Sequence, residues 1–207
     1  MEEESLESKI KASIENILRN TAISSGNTIV ISGILVSLIT GKILGLIFSG
    51  GVIVNALLNV FFKESLHFFF PDTKILKRPE ISKKGCGVTV KCLPNAIPNP
   101  DEQGMPSGHS QTATFSATFW ILYIWRYLRH TKNYNSYMLW PATILLSLLA
   151  ILIIISRSFL VENCHTILQI IFGGAIGVSF AFLVYWLIEK FIPSWLGEPL
   201  KTDEKKK

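Results

Sequence analysis

Long apolar runs broken by short polar punctuation set the first expectations for this chain. Residues 28–62 are apolar apart from Lys42 and scattered small polar residues. Such a run is too long for one membrane crossing and right for two of about 20 residues each. The turn between them falls at Thr40-Gly41-Lys42 or at Ser49-Gly50-Gly51. The first choice gives a second span at residues 43–62, about 30 Å of helix at about 1.5 Å per residue. It leaves a short first span at about 23–39 and brings Lys63 out at the interface. Runs at 108–125, 138–155 and about 166–188 supply three more spans. In residues 1–20, Leu6, Ile10, Ile14, Ile17 and Leu18 recur as on one face of an interfacial helix. The expected fold is all-α: a multi-pass membrane helix bundle of about five spans within residues 21–190. An N-terminal amphipathic helix (1–20) precedes it and a charged tail (191–207) follows.

Composition supports this. The chain of 207 residues is 49% hydrophobic and only 17% charged, against about 25% charged in an ordinary soluble domain. Its mean hydropathy is +0.39. The acidic start, Met1-Glu2-Glu3-Glu4, lacks the basic first region of a cleavable signal, so none is expected. The net charge of +5 sits largely in one loop and the tail, which points to anionic lipid and away from nucleic acid. Cys86 and Cys92 share a polar loop and either pair, if that loop faces an oxidising compartment, or remain free thiols. Their spacing does not suit zinc.

Most of the polar chemistry lies where the apolar runs end. Asn55, Asn59 and Lys63 form one polar stripe at i, i+4 and i+8; the two Asn read first as interhelical packing and Lys63 as a functional candidate. Residues 64–107 make a large polar, basic, proline-containing excursion that opens with an amphipathic piece. It ends in Gly104-Met105-Pro106-Ser107-Gly108-His109-Ser110, at the mouth of the third apolar run. A helix start of this kind offers unpaired amides and partial positive charge to an anion. Counting spans puts Lys63, Arg78, Ser107, His109, Arg157 and His165 on one membrane face. Arg126, Arg129, Lys132 and the tail fall on the other, as do the five tryptophans. Small residues Gly173 and Gly177 are spaced for close helix packing.

Two His, two Arg, a Lys and a Ser hydroxyl, without paired carboxylates or a metal-ligand set, suit an anion neutralised by the protein itself. Phosphoryl transfer fits this arrangement, because its transition state spreads negative charge over three oxygens that Arg forks and backbone amides can hold. One His can attack phosphorus while the other protonates the departing oxygen and later activates water.

Lys63…Arg78-Pro79, Pro106-Ser107-Gly108-His109 and Ser156-Arg157…His165 resemble the three signatures of the type 2 phosphatidic acid phosphatase superfamily, KxxxxxxRP, PSGH and SRxxxxxHxxxD. The resemblance covers about residues 55–177. It implies an integral membrane phosphatase acting on a lipid phosphate or diphosphate through a phosphohistidine, with no cofactor and no metal. His165 would be the nucleophile and His109 the general acid. Lys63, Arg78, Ser107, Gly108 and Arg157 would bind phosphate. His165-Thr166-x-x-Gln169 looks like the dolichyl diphosphate phosphatase branch, where Gln169 would orient His165, and makes a polyprenyl diphosphate the first substrate expected, ahead of phosphatidate. Three departures from the pattern stand out. Pro71 occupies the first signature's lysine position, so that Lys63, fifteen residues before Arg78, or Lys74 must serve. Two extra residues separate Arg157 from His165. Gln169 replaces an Asp and is neutral. The competing reading is a non-catalytic relative that binds lipid or serves as a membrane scaffold. Lys42, Arg126, Arg129, Lys132 and the tail favour a lumenal or exterior site under the positive-inside rule, while the basic loop on the site's own face counts the other way.

Overall fold

The computed structural model describes residues 26–71, 73–79, 103–126, 137, 139–156, 158 and 165–196. The expected helix at 1–20, both loop cysteines, Arg157 and the tail from 197 lie outside the described residues. Five α-helices account for nearly all of the rest. They are α1 (Gly26–Thr40), α2 (Leu44–Phe69), α3 (Gly108–Arg126), α4 (Leu139–Ile155) and α5 (Ile167–Phe191). Short 3-10 turns occupy Lys74–Leu76 and Pro193–Leu196.

The first turn falls where Thr40-Gly41-Lys42 places it. Gly41 takes φ +64°, a conformation open to glycine at no steric cost. Ser37 Oγ stitches the corner, donating to Lys42 O at 2.6 Å and accepting from Leu46 N at 2.8 Å. The second helix then departs from expectation. Residues 64–69 were expected to open the polar excursion, but α2 continues unbroken to Phe69, two turns beyond Lys63. Glu64 and Ser65 read as an exit from the membrane, yet neither breaks a helix, and the chain turns only at Phe70-Pro71. Lys63 was expected at the interface. It is instead buried, facing the folded-back segment that carries Gln103.

Helix α3 is the centre of the bundle and packs on α5, α4 and α2. Phe48 and Val52 from α2, Phe115 and Phe119 from α3, and Ala181 and Tyr185 from α5 form its core. Phe48 stacks on Phe115 at 6.2 Å and Phe115 on Phe180 at 5.5 Å between ring centroids. Apolar helices gain little from pairing in lipid, so close packing and interhelical hydrogen bonds must hold α3 to α5. Both are present. Gly173 and Gly177 bring α5 against the backbone of Ser107 and Gln111, where a Cβ would collide with the carbonyl oxygens. Ser110 Oγ donates to Ile170 O at 2.8 Å, and Thr114 Oγ1 to Gly174 O at 3.1 Å.

Two of the helices, α2 and α5, are long and apolar enough to cross a membrane, whereas α1 and α4 are shorter apolar helices. Large side chains such as Leu57 and Phe61 on α2, Leu148 and Leu152 on α4, and Ile171 and Leu183 on α5 face outward. A surface this apolar belongs against lipid. The result is an all-α membrane bundle. At one end Trp125 meets Trp140 at 5.1 Å and Arg126 pairs with Glu189; the other end carries the residues considered next.

Candidate active site

Two helix starts and one strap build the site. Helix α3 begins at Gly108, with Ser107 Oγ accepting from Ser110 N at 3.4 Å. Helix α5 begins after Thr166, whose hydroxyl accepts from Gln169 N while the Gln169 side chain accepts from Thr166 N. This reciprocal cap fixes the chain direction just before the helix, where His165 sits. Ser107 N donates to Gln169 O at 3.1 Å, so the two starts are tied directly together. His109 and His165 are both buried, and their ring centroids lie 6.3 Å apart with the planes inclined at 54°. One phosphoryl group can reach both rings across that gap.

The strap is the segment after α2. Gly104 N and Met105 N donate to Leu76 O at 2.8 and 3.2 Å, and Lys77 forms an isolated antiparallel bridge with Gln103. Lys63 Nζ donates to Gln103 O at 3.2 Å. Arg78 follows the bridge and is buried.

Gln169 joins the strap to the histidine. Its Nε2 donates to Ile75 O and to Lys77 O, both at 2.8 Å. Since carbonyls only accept, the amide end facing them must be NH₂. The opposite end is then the oxygen, which accepts from Thr166 N at 3.2 Å and lies 3.3 Å from His165 Nδ1. Nδ1 therefore carries the proton, and a neutral ring keeps its lone pair on Nε2. Gly104 lies so close to the Gln169 amide that a side chain there would overlap it.

Burial holds His165 well below its ordinary 6.5, and the positive charges of Arg78 and Lys63 add to the effect. Hydrogen bonds with Gln169 and with the Gly104 backbone act in the opposite direction but do not reverse it. The balance favours the neutral ring.

Of the residues singled out by sequence, Lys63, Arg78, Ser107, Gly108, His109, His165 and Gln169 are all buried and gather at this end of the bundle. Arg157 lies outside the described residues, although its neighbours Ser156 and Ser158 are buried. The Ser107 amide is committed to Gln169 O, which narrows the anion donors foreseen at this turn to the Ser107 hydroxyl and the Gly108 amide. The Asn stripe does pack between helices. Asn59 Nδ2 donates to Pro106 O and Gln111 Oε1, and Gln111 Nε2 donates to Asn55 O and Oδ1. Sequence reasoning missed Gln111 and Gln103. Gln111 carried one local signal, a large amide one turn below Ser107 in an apolar helix; Gln103 carried none. Among the described residues, no three of His, Cys, Asp and Glu cluster closely enough to hold a metal ion.

No solved structure matches the chain. It is similar to dolichyldiphosphatase 1 of Homo sapiens, 33% identical over 86 residues, which cover 41% of this chain and 35% of the human protein. A family model described as the PAP2 superfamily matches residues 28–193. With that match spanning most of its length, the chain belongs to the PAP2 superfamily.

Proposed function

We propose that this protein is a membrane hydrolase that removes phosphate from a lipid phosphate or diphosphate through a phosphohistidine on His165. Membership of a phosphatase superfamily supports the reaction class. The observation that carries the mechanism is the pair of buried imidazoles, one at each of two helix starts, 6.3 Å apart between centroids. A polyprenyl diphosphate is the substrate class favoured, because the human relative is a dolichyldiphosphatase; phosphatidate comes second.

Chemistry would run in two displacements. The Nε2 lone pair of His165 attacks phosphorus, and the bond from phosphorus to the leaving oxygen breaks. His109, entering protonated, gives its proton to that oxygen. Water then attacks the phosphohistidine, His109 takes its proton, and the N–P bond breaks to release inorganic phosphate and neutral His165. Arg78, Lys63 and Arg157, with the Ser107 hydroxyl and Gly108 amide, would hold the equatorial oxygens. Gln169 keeps the proton on Nδ1 throughout. Its neutrality leaves His165 less basic than a carboxylate would make it, a property that favours expulsion of the imidazole in the second step. The protein's own cations neutralise the phosphate in this scheme, so no metal takes part. The site would face the lumen or exterior.

The test is phosphate release by the purified protein in detergent with EDTA, offered a polyprenyl diphosphate and phosphatidate, beside His165→Ala and His109→Ala. Release from at least one lipid, lost in both variants, is the expected result. Release surviving both substitutions would remove the mechanism. No release from any lipid would favour a non-catalytic lipid-binding relative.

A further inference from the structure

Below the histidines, within the bundle, lies a cavity of about 240 Å³. Ala113, Ser116, Ala117 and Trp120 of α3 form one wall, and Ala150 and Ile153 of α4 lie among the residues opposite. We propose that this cavity receives the hydrocarbon chain of the lipid whose phosphate sits between His109 and His165, a reading that rests on the function proposed above.

Three observations support it. The cavity lies next to the site along the helices: Ala113 follows His109 by one turn of α3, and Ile153 precedes Ser156 by one turn. From His109 to Trp120 is eleven residues, about 16 Å of helix at about 1.5 Å per residue. A chain leaving the phosphate along α3 therefore enters at Ala113 and ends against Trp120, which Phe48 backs at 5.1 Å between rings. Second, the lining is mostly apolar. Its two hydroxyls, Ser32 and Ser116, turn back to Ile29 O and Thr112 O of their own helices at 2.7 and 2.8 Å. Apolar cavities of about 150 Å³ already take up benzene-sized guests, so this one has room for the leading stretch of one chain, linear or branched. Third, small residues open it (Ala113, Ala117 and Ala150), and Leu149 at its rim is 47% exposed on the outward face. A lipid could slide in sideways from the bilayer without leaving it.

Filling the cavity should discriminate by chain while sparing the chemistry. Ala117→Leu narrows it from α3; Leu149→Trp blocks the rim at an exposed position where folding is tolerant. Each is measured on a long-chain polyprenyl diphosphate, a long-chain phosphatidate and a short-chain, water-soluble alkyl phosphate. Both variants are expected to lose about tenfold or more in kcat/KM on long-chain lipid, the size of effect a filled apolar pocket gives. The short substrate should stay within about twofold, and Ala117→Ser should restore long-chain activity. Loss on one long lipid only identifies which chain the cavity fits. Equal loss on short and long substrates, or no loss on either, overturns the proposal. Photolabelling requires no turnover and so tests the cavity separately from the phosphatase reading. A lipid phosphate with a diazirine on its chain should label residues of α3 and α4 lining the cavity; label confined to the outer faces of α2 and α5 would overturn it.

Discussion

Replacing Gln169 by Glu separates two tasks that one amide performs. The acceptor side survives, because a carboxylate oxygen can still face His165 Nδ1 and Thr166 N. The donor side is lost, and an oxygen now faces Ile75 O and Lys77 O across gaps that were 2.8 Å hydrogen bonds. An acceptor stripped of its donor costs about 1–3 kcal/mol when buried. Ile75 and Lys77 are exposed residues whose carbonyls water can partly serve, so the lower end applies. Two such losses amount to about 2 kcal/mol, or about thirtyfold, since about 1.4 kcal/mol is tenfold in an equilibrium constant. Because the strap carries Arg78, the loss should fall mainly on KM for the lipid phosphate. Gln169→Leu removes the acceptor as well. Misplacing the proton of a catalytic imidazole costs up to about 10⁴ in kcat, so this variant should lose kcat in addition. Steady-state phosphate release in detergent micelles at several substrate concentrations separates the two. Wild-type or higher activity in Gln169→Glu would refute the reasoning, because it would mean that only the acceptor matters and that a carboxylate serves better.

Other outcomes follow from the same geometry. As the proposed nucleophile His165 must be neutral, and burial first, then Arg78 and Lys63, hold it below 6.5, so the acid limb of kcat/KM should lie below pH 6.5. In Arg78→Gln one depressing charge is gone, the His165 pKa rises, and the limb should move to higher pH whatever happens to the plateau; a limb that stays or moves to lower pH contradicts the assignment. Gly173→Ala forces a Cβ into Ser107 O, and overpacking of this kind costs about 1–3 kcal/mol, so the melting temperature in detergent and the activity should fall together. Asn59→Ala frees Pro106 O and Gln111 from their shared donor, at about 1–3 kcal/mol for buried groups. The melting temperature should drop while the pH limb, set elsewhere, stays in place.

The helix starts were legible in the sequence because their signals are local. Pro106-Ser107-Gly108 announces one entry within a few residues, the return of the apolar run at about 166 marks the other, and Gly41 marks a turn by its backbone freedom. Gly173 and Gly177 likewise read as close-packing positions before their partners were known. What escaped was set by distant contacts. Lys63 was a functional candidate from its place on the stripe, but its burial depends on Gln103, forty residues on, which supplies a carbonyl to its ammonium. The end of α2 was misplaced for the same reason, since a charged Lys-Glu pair marks a membrane exit only when nothing folds back to cover it. Gln169 could be read as an acceptor for a neighbouring His, but its donors find carbonyls more than ninety residues earlier. The polar stripe on α2 was visible, and Gln111, the amide that satisfies it, lay on another helix.

If His165 carries the phosphoryl group, as proposed, the phosphorylated enzyme can be trapped. The purified protein is mixed rapidly with a lipid diphosphate labelled in its terminal phosphate, quenched under conditions that preserve phosphohistidine, digested and sequenced by mass spectrometry. The expected result is label on the His165 ring, none in His165→Ala, and faster loss of label in the wild type than in His109→Ala. Turnover with label on any other residue, or with water attacking the lipid directly and no enzyme-bound phosphate, would contradict it.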